Sequence, residues 1–387
     1  MTPGMRRKEL DALLPTFREL WHAQPFREPR PNWALNHPAL TEDLLRLDEA
    51  EVEYLADDTG AALKFIARHL PDVACLAGLE ALPIKTAARL AIPGERWAWE
   101  IPGRKRSQIE AFAGVAQTGD APILDWCGGK GHLGRLLALV RDVPVRTLEI
   151  DPALCGAGQA LAKRLSLCQD FSIADALQVE VPAGCHAVAL HACGDLHRRL
   201  IEQGAKNGVA RFDVAPCCYY RGVTGLYQPL VPDGQTLLSR DDTRLAVTET
   251  VTASPRLRRR RDREMAWKLG FDAYRRASGE YGYKSFKPIS AAWFGGQFPE
   301  FLQRVATREG LPVPGRSVRE WEEVGWQRLH EVLRLSIVRQ AFRRLIELWL
   351  VLDLSVYLEM QGYSVDLGIF CERSLTPRNL LISARRA

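Results

Sequence analysis

The segment ILDWCGGKGHLG, residues 123–134, decides the reading of this chain. Its apolar start reads as a short strand ending at Asp125. A glycine-rich turn follows, and a helix opens near His132. Glycine lets the backbone turn tightly and approach a ligand closely, and the first turn of the next helix offers unpaired N–H groups. Working outward, PILDW at 122–126 is one of five short apolar runs. The others are VRTLEI at 145–150, FSIA at 171–174, HAVALH at 186–191 and FDVA at 212–215. Helical patterns lie between them at Leu133–Val140, Pro152–Leu165 and Leu196–Asn207. Strands that alternate with helices of this length imply βαβ units, a parallel sheet and an α/β fold.

The strand ends carry the chemistry. The glycine turn has the spacing Asp-x-Gly-x-Gly-x-Gly, with Asp125 leading, Cys127 in the first glycine's place, then Gly129 and Gly131. This resembles the first motif of S-adenosylmethionine-dependent methyltransferases of the Rossmann-like class. It differs from the dinucleotide fingerprint Gly-x-Gly-x-x-Gly, so the implied ligand has no pyrophosphate. The resemblance implies S-adenosyl-L-methionine as cofactor, its methionine part held by Asp125, Cys127, Gly129 and Gly131. Glu149 lies 24 residues after Asp125, at the tip of the second strand. An acid there can accept both ribose hydroxyls, with Asp151 the alternate. Asp175, ending the third strand, is placed to meet the adenine amino group. A plain βαβ turn with surface acids is the rival reading, and three features in order weigh against it. His132 is expected to cap or pack at its helix start.

The fourth strand closes with His191, Cys193 and Asp195, the fifth with Cys217, Cys218, Tyr219 and Tyr220. Carboxyl ends of adjacent strands border the ligand crevice of a doubly wound sheet. His-x-Cys-Gly-Asp-Leu followed by Cys-Cys-Tyr resembles the methyltransferase-like family whose eukaryotic members carry the ribosomal-RNA-adenine-dimethylase-domain name. It is more distantly similar to the tRNA acceptor-stem 2′-O-methyltransferases, which have a Cys-Cys-His-His version. ELWLVLDLSVYLEMQGY and SLTPRNLLISARR resemble that family's closing helix and strand. The chain departs from the family at three places. Leu354 follows Asp353 where arginine is common. Gln108 and Ile109 replace His and Glu after the basic pair Lys105 and Arg106. Tyr220 stands where histidine is common. The resemblance implies Lys105 on the cofactor side and His191, Asp195, Cys218 and Tyr219 on the acceptor side. For Cys-Cys-Tyr itself several readings stay open. Tyr219 can stack on a planar base while the carbonyl near Pro216 orients the acceptor. A cysteine can act as nucleophile. His191, Cys193, Cys217 and Cys218 can hold a metal, or the cysteines can pack as small hydrophobes. Methyl transfer itself needs no metal, and none is expected.

The remaining sequence sets the frame. The chain has 387 residues, 47% hydrophobic and 26% charged, which excludes wholesale disorder. Net charge is +5, which permits a nucleic-acid partner. Nine cysteines fall in no disulfide-scaffold pattern, and the N-terminal residues hold no apolar stretch of signal-peptide length. The most apolar region, Leu345 to Met360, is broken by Glu347 and Asp353. The expectation is a reduced, cytoplasmic protein without a membrane span. Residues 1–95 read as a helical N-terminal domain, with Thr41 starting one helix. Residues 96–387 read as the methyltransferase domain, with an irregular arginine-rich insertion at about 221–316. Val318 to Met360 reads as a long helical region, and a closing hairpin over 365–387 is expected to add the sixth and seventh strands, the seventh antiparallel. Arg256, Arg258, Arg259, Arg260, Arg261 and Arg263, with Tyr274, Tyr281, Tyr283 and Phe286 downstream, suit phosphate contact plus base stacking. RNA is the expected substrate and partner. A protein or small-molecule methyltransferase, or a non-catalytic S-adenosylmethionine- or RNA-binding protein, is the alternative.

Overall fold

The computed structural model describes residues 2–92, 94–232, 234–248, 254–280, 282–312, 315 and 318–387; Tyr281 lies outside them. The five apolar runs become β1 (Ile123–Trp126), β2 (Val145–Glu149), β3 (Gln169–Ile173), β4 (His186–Cys193) and β5 (Arg211–Cys217). β1 is buried at every position, and β5 at all but its first, as strands covered on both faces must be. The chain closes with β6 (Tyr363–Ile369) and β7 (Leu380–Arg386). One seven-stranded sheet results, in the order β3-β2-β1-β4-β5-β7-β6. β7 runs antiparallel to both β5 and β6, and the other pairings are parallel. The fold is α/β with a Rossmann-like sheet and the expected C-terminal hairpin. Strand order reverses between β1 and β4, so their carboxyl ends open a crevice there.

The contacts divide the chain into two units. One comprises Met1–Thr16, Gly78–Thr252 and Arg343–Ala387, the other Phe17–Ala77 and Ala253–Phe342. This differs from a boundary at residue 95. In the sheet unit, the helix Pro3–Thr16 packs on the helix Arg343–Met360. Buried Asp11 fixes it there, accepting from Trp349 Nε1 at 3.1 Å and from the N–H groups of Gln235 and Thr236. Phe112, Leu136, Leu137, Val145, Val188 and Leu381 share the core between the sheet and the helices Gly103–Val115 and His132–Arg141. At the amino ends of β4 and β5, buried His186 meets Asp213 at 2.8 Å, and Ser383 Oγ and the Gln117 N–H donate to the same carboxylate.

The long helical region breaks at Phe342 into Val318–Ala341, in the second unit, and Arg343–Met360, in the sheet unit. The supposed irregular insertion holds the 23-residue helix Pro255–Ala277, which runs along Val318–Ala341. Gly270 and Gly325 permit this approach. A Cβ on Gly325 would lie 2.3 Å from the Ala266 carbonyl, and one on Gly270 2.4 Å from that of Trp321. Trp267, Phe294, Phe298 and Phe301 pack beside the pair. The helix expected to start at Thr41 starts at Pro38. Proline suits a first helical position, and Thr41 is buried inside, its hydroxyl donating to the Ala34 carbonyl at 2.8 Å. No helix among the described residues is long and apolar enough to cross a membrane.

Candidate active site

The glycine turn sits at the tip of β1. Cys127, Gly129 and Gly131 all adopt left-handed backbone, with φ 55, 61 and 61°. Cys127 thus carries a side chain in a conformation that favours glycine. Gly128, which the motif spacing does not single out, has as little room as Gly131, where a Cβ would lie 2.4 Å from Gln169 Nε2. A Cβ on Gly128 would lie 2.4 Å from Asp125 Oδ2. That carboxylate is buried under the turn and accepts from the Gly134 N–H at 3.1 Å and Thr147 Oγ1 at 3.2 Å. Burial pushes it up to about 6, against the lowering effect of these bonds. Asp125 therefore ties the turn to the following helix and to β2.

Glu149 closes the turn from the other side. Its Oε2 accepts from the Gly129 N–H at 3.0 Å, and its Oε1 from the N–H groups of Ile150 and Asp151. Asp151, the alternate ribose acid, caps the next helix through the Ala153 N–H at 2.8 Å. Asp175 turns its Oδ1 to the Leu177 N–H. The acids converge on Cys127. Burial first, then Glu149, Asp125, Cys193 and Asp175, push its thiol up to about 12. Lys105 is exposed on the helix Gly103–Val115, and its charge acts on both Asp125 and His191. His132 is buried beside Arg135 and lowered to about 3 by burial, which leaves it a packing residue.

His191, at the irregularity of β4 after Leu190, and Cys218, just past the end of β5, both adopt left-handed backbone, with φ 69 and 48°. His191 Nε2 lies 3.1 Å from Gln108 Oε1, while Gln108 Nε2 donates to the Leu375 carbonyl. With the amide fixed that way, Nε2 of His191 carries the proton and Nδ1 is bare. Burial lowers His191 to about 4, helped by Arg378. Gln108, at one of the departures from the family pattern, thus orients the histidine. Cys193 and Cys217 approach to 3.6 Å. Bonds from Cys193 and Cys217, aided by Arg378 and Arg221, hold Cys218 far below the ordinary thiol range, while Cys217 is pushed up.

One acceptor-side residue, Tyr219, stands differently from expectation. Tyr219 is 2% exposed, its ring edge-on to His197 and its hydroxyl donating to the Pro216 carbonyl at 3.3 Å. It packs beneath the crevice and offers no open stacking face. The neighbouring Tyr220 is half-buried, with Arg240 and Arg244 5.9 and 5.5 Å from its ring centroid and Arg221 bonded to it. Asp195 begins the helix Asp195–Asn207, lies against Gly222 and faces Arg198 at 4.0 Å. Asp353, left without the family's following arginine, is fully buried and accepts from Tyr227, Leu230 and Val231. Arg7 and Arg198 approach it to 3.7 and 3.9 Å and supply the missing positive charge. Arg221 carries no periodic or spacing signal, Arg378 was quoted only as part of SLTPRNLLISARR, and the sequence reading missed the role of both.

The cofactor side fits S-adenosylmethionine. That molecule presents a sulfonium, an ammonium, two ribose hydroxyls and an adenine amino group, all cations or donors. Glu149 and Asp175 are acceptors, and a carboxylate already holding backbone N–H groups keeps lone pairs for more.

Residues 104–222 match the family model described as a methyltransferase domain. Over 161 residues the chain is 32% identical to a glutathione S-transferase C-terminal domain-containing protein homolog of Drosophila pseudoobscura pseudoobscura, covering 39% of this chain and 26% of that one. The Drosophila melanogaster homolog is 31% identical over 145 residues, covering 36% and 23%. The chain thus spans about a quarter of the length of these curated relatives. Among solved structures, the Pyrococcus abyssi tRNA (uracil-54, C5)-methyltransferase with S-adenosyl-L-homocysteine aligns at 18% identity and TM-score 0.26, covering 29% of this chain and 28% of that one. M. jannaschii TYW2 in complex with AdoMet aligns at 15% and 0.26, covering 30% and 52%. The stretch from 104 to 222 is thus similar to methyltransferase domains.

Proposed function

We propose that this chain transfers a methyl group from S-adenosylmethionine to RNA in the crevice at the tips of β1 to β5. The observation that carries the RNA reading is Tyr220. It is a half-buried aromatic ring at the end of β5 with three arginines gathered on it. An aromatic ring with arginines over it makes a planar cationic cluster, and aromatic rings combined with arginine and phosphate-binding charge are the pattern of single-stranded nucleic-acid binding. The resemblance of His-x-Cys-Gly-Asp-Leu and Cys-Cys-Tyr to RNA-directed families supports the same reading.

Bound S-adenosylmethionine supplies an activated methyl group on a sulfonium, so the protein mainly positions donor and acceptor. In this reading Glu149 holds the ribose, Asp175 the adenine, and the turn at Gly129 and Gly131 the methionine part, with Asp125 bracing the turn from below. Lys105 faces the methionine carboxylate. His191, oriented by Gln108, takes the acceptor's proton at Nδ1. Tyr220 takes the stacking role expected of Tyr219, and Asp195 keeps the Arg221–Gly222 loop in place.

A further basic surface belongs to the same reading. The arginine run occupies the first turns of the helix Pro255–Ala277. Arg258 pairs with Glu53, Arg260 with Glu264 at 3.0 Å, and Arg263 lies over Trp267. Arg256, Arg259 and Arg261 are exposed, and these three of the six are expected to meet phosphate. The test is RNA binding by an Arg240→Gln/Arg244→Gln variant across a salt series. Two lost phosphate contacts reduce the slope of log K against log salt by about 1.4 on single strands. An unchanged affinity and slope would overturn the role given to this cluster.

A further inference from the structure

We propose that Cys193, Cys217 and Cys218 form a binding site for one Zn²⁺ ion at the acceptor side of the crevice. The three Sγ atoms all lie within 4.8 Å of one another, and those of Cys193 and Cys217 are 3.6 Å apart. Zinc–thiolate bonds of about 2.3 Å in tetrahedral array put sulfurs about 3.8 Å apart. The triangle is therefore close to ligand geometry before any ion enters.

The backbone explains how adjacent residues reach one point. Cys193 and Cys217 are register partners on parallel strands, aligned after a shift between Leu190 and Cys193. Successive residues of a strand point to opposite faces, so Cys217 and Cys218 would ordinarily diverge. The left-handed turn at Cys218, φ 48°, brings its sulfur back to the others. Non-glycine residues adopt that conformation only where the surroundings hold them to it. Two of the three thiols are half-exposed, which gives an ion a path in, and all nine cysteines are free. Three thiolates and Zn²⁺ leave one net negative charge, which Arg378 and Arg221 are near enough to offset, since both act on Cys218. Three protein ligands leave a fourth position for water or another ligand, the pattern of zinc sites that are not purely structural. Thiolate sulfur selects zinc over magnesium or calcium.

The test uses the full chain, reduced and stripped with a chelator, then loaded with Zn²⁺ or with Cd²⁺ as a spectroscopic probe. The expected result is one Zn²⁺ per chain retained through desalting, and a thiolate-to-cadmium charge-transfer band of matching stoichiometry. Cys193→Ser and Cys218→Ser, at half-exposed positions, should each lose the retained ion and weaken the band while keeping the wild-type circular dichroism spectrum. A Cys75→Ser/Cys168→Ser control, at exposed cysteines outside the cluster, should keep both. Absence of stoichiometric metal in the reduced wild type would overturn the proposal. So would full retention in a folded Cys193→Ser/Cys218→Ser variant.

Discussion

Glu149 latches the glycine turn, its carboxylate accepting from the Gly129 N–H, and in the proposed function the same carboxylate holds the ribose. Charge-assisted hydrogen bonds contribute about 1.5–3 kcal/mol each. Glu149→Ala should therefore raise the dissociation constant for S-adenosylmethionine by roughly 10- to 100-fold, as isothermal titration calorimetry would measure, and an unchanged constant would remove Glu149 from the cofactor site. Asp125 makes a different prediction. With its carboxyl raised to about 6, the folded chain keeps a proton that the unfolded chain releases near 4. The stability from that proton is present at low pH and is lost as pH rises through about 6. Asp125→Asn keeps an acceptor for Gly134 and Thr147 but carries no charge. Its stability relative to wild type should improve from about pH 4 to about pH 7, by at most about 3 kcal/mol. A difference in thermal unfolding that does not change with pH would contradict this. The positions of Glu149 and Asp175 at or just past strand ends were legible because they are a matter of local spacing. The burial of Tyr219 was not, because its ring packs against His197 on another element, 22 residues away in sequence. Nor was the bond from Gln108 to His191, which joins residues 83 apart.

Between elements, close approach sets the demands. The helices Pro255–Ala277 and Val318–Ala341 meet where Gly270 and Gly325 leave no room for a side chain. Gly325→Leu forces them apart, and overpacking of this kind costs about 1–3 kcal/mol or more. Chemical denaturation should show that loss, and a variant as stable as wild type would mean the pair is loose. β1, β4 and β5 were legible because strands buried on both faces read as continuous apolar runs. The helix Pro255–Ala277 was not, because its first half is arginine with almost no apolar face. Arginine is nevertheless a good helix former, and Ser254 caps the helix through the Leu257 N–H.

Over the whole chain, each unit is assembled from segments far apart in sequence. A reading that moves along the chain places a boundary where composition shifts. It has no means of seeing that Asp11 is held by Trp349, 338 residues away. At this scale the charge of the chain makes its own prediction. Arg256→Gln/Arg259→Gln/Arg261→Gln should weaken RNA binding and reduce its salt slope by about 2, and an unchanged slope would leave the run a solvated helix face. The most direct measurement of the central claim is methyl transfer itself. Purified protein and methyl-tritiated S-adenosylmethionine are incubated with extract from cells lacking the gene, and the product is divided between ribonuclease and protease. The account predicts label that ribonuclease removes and protease leaves, and that falls in the Glu149→Ala variant. Label removed by protease, or absent from both polymers, would contradict it.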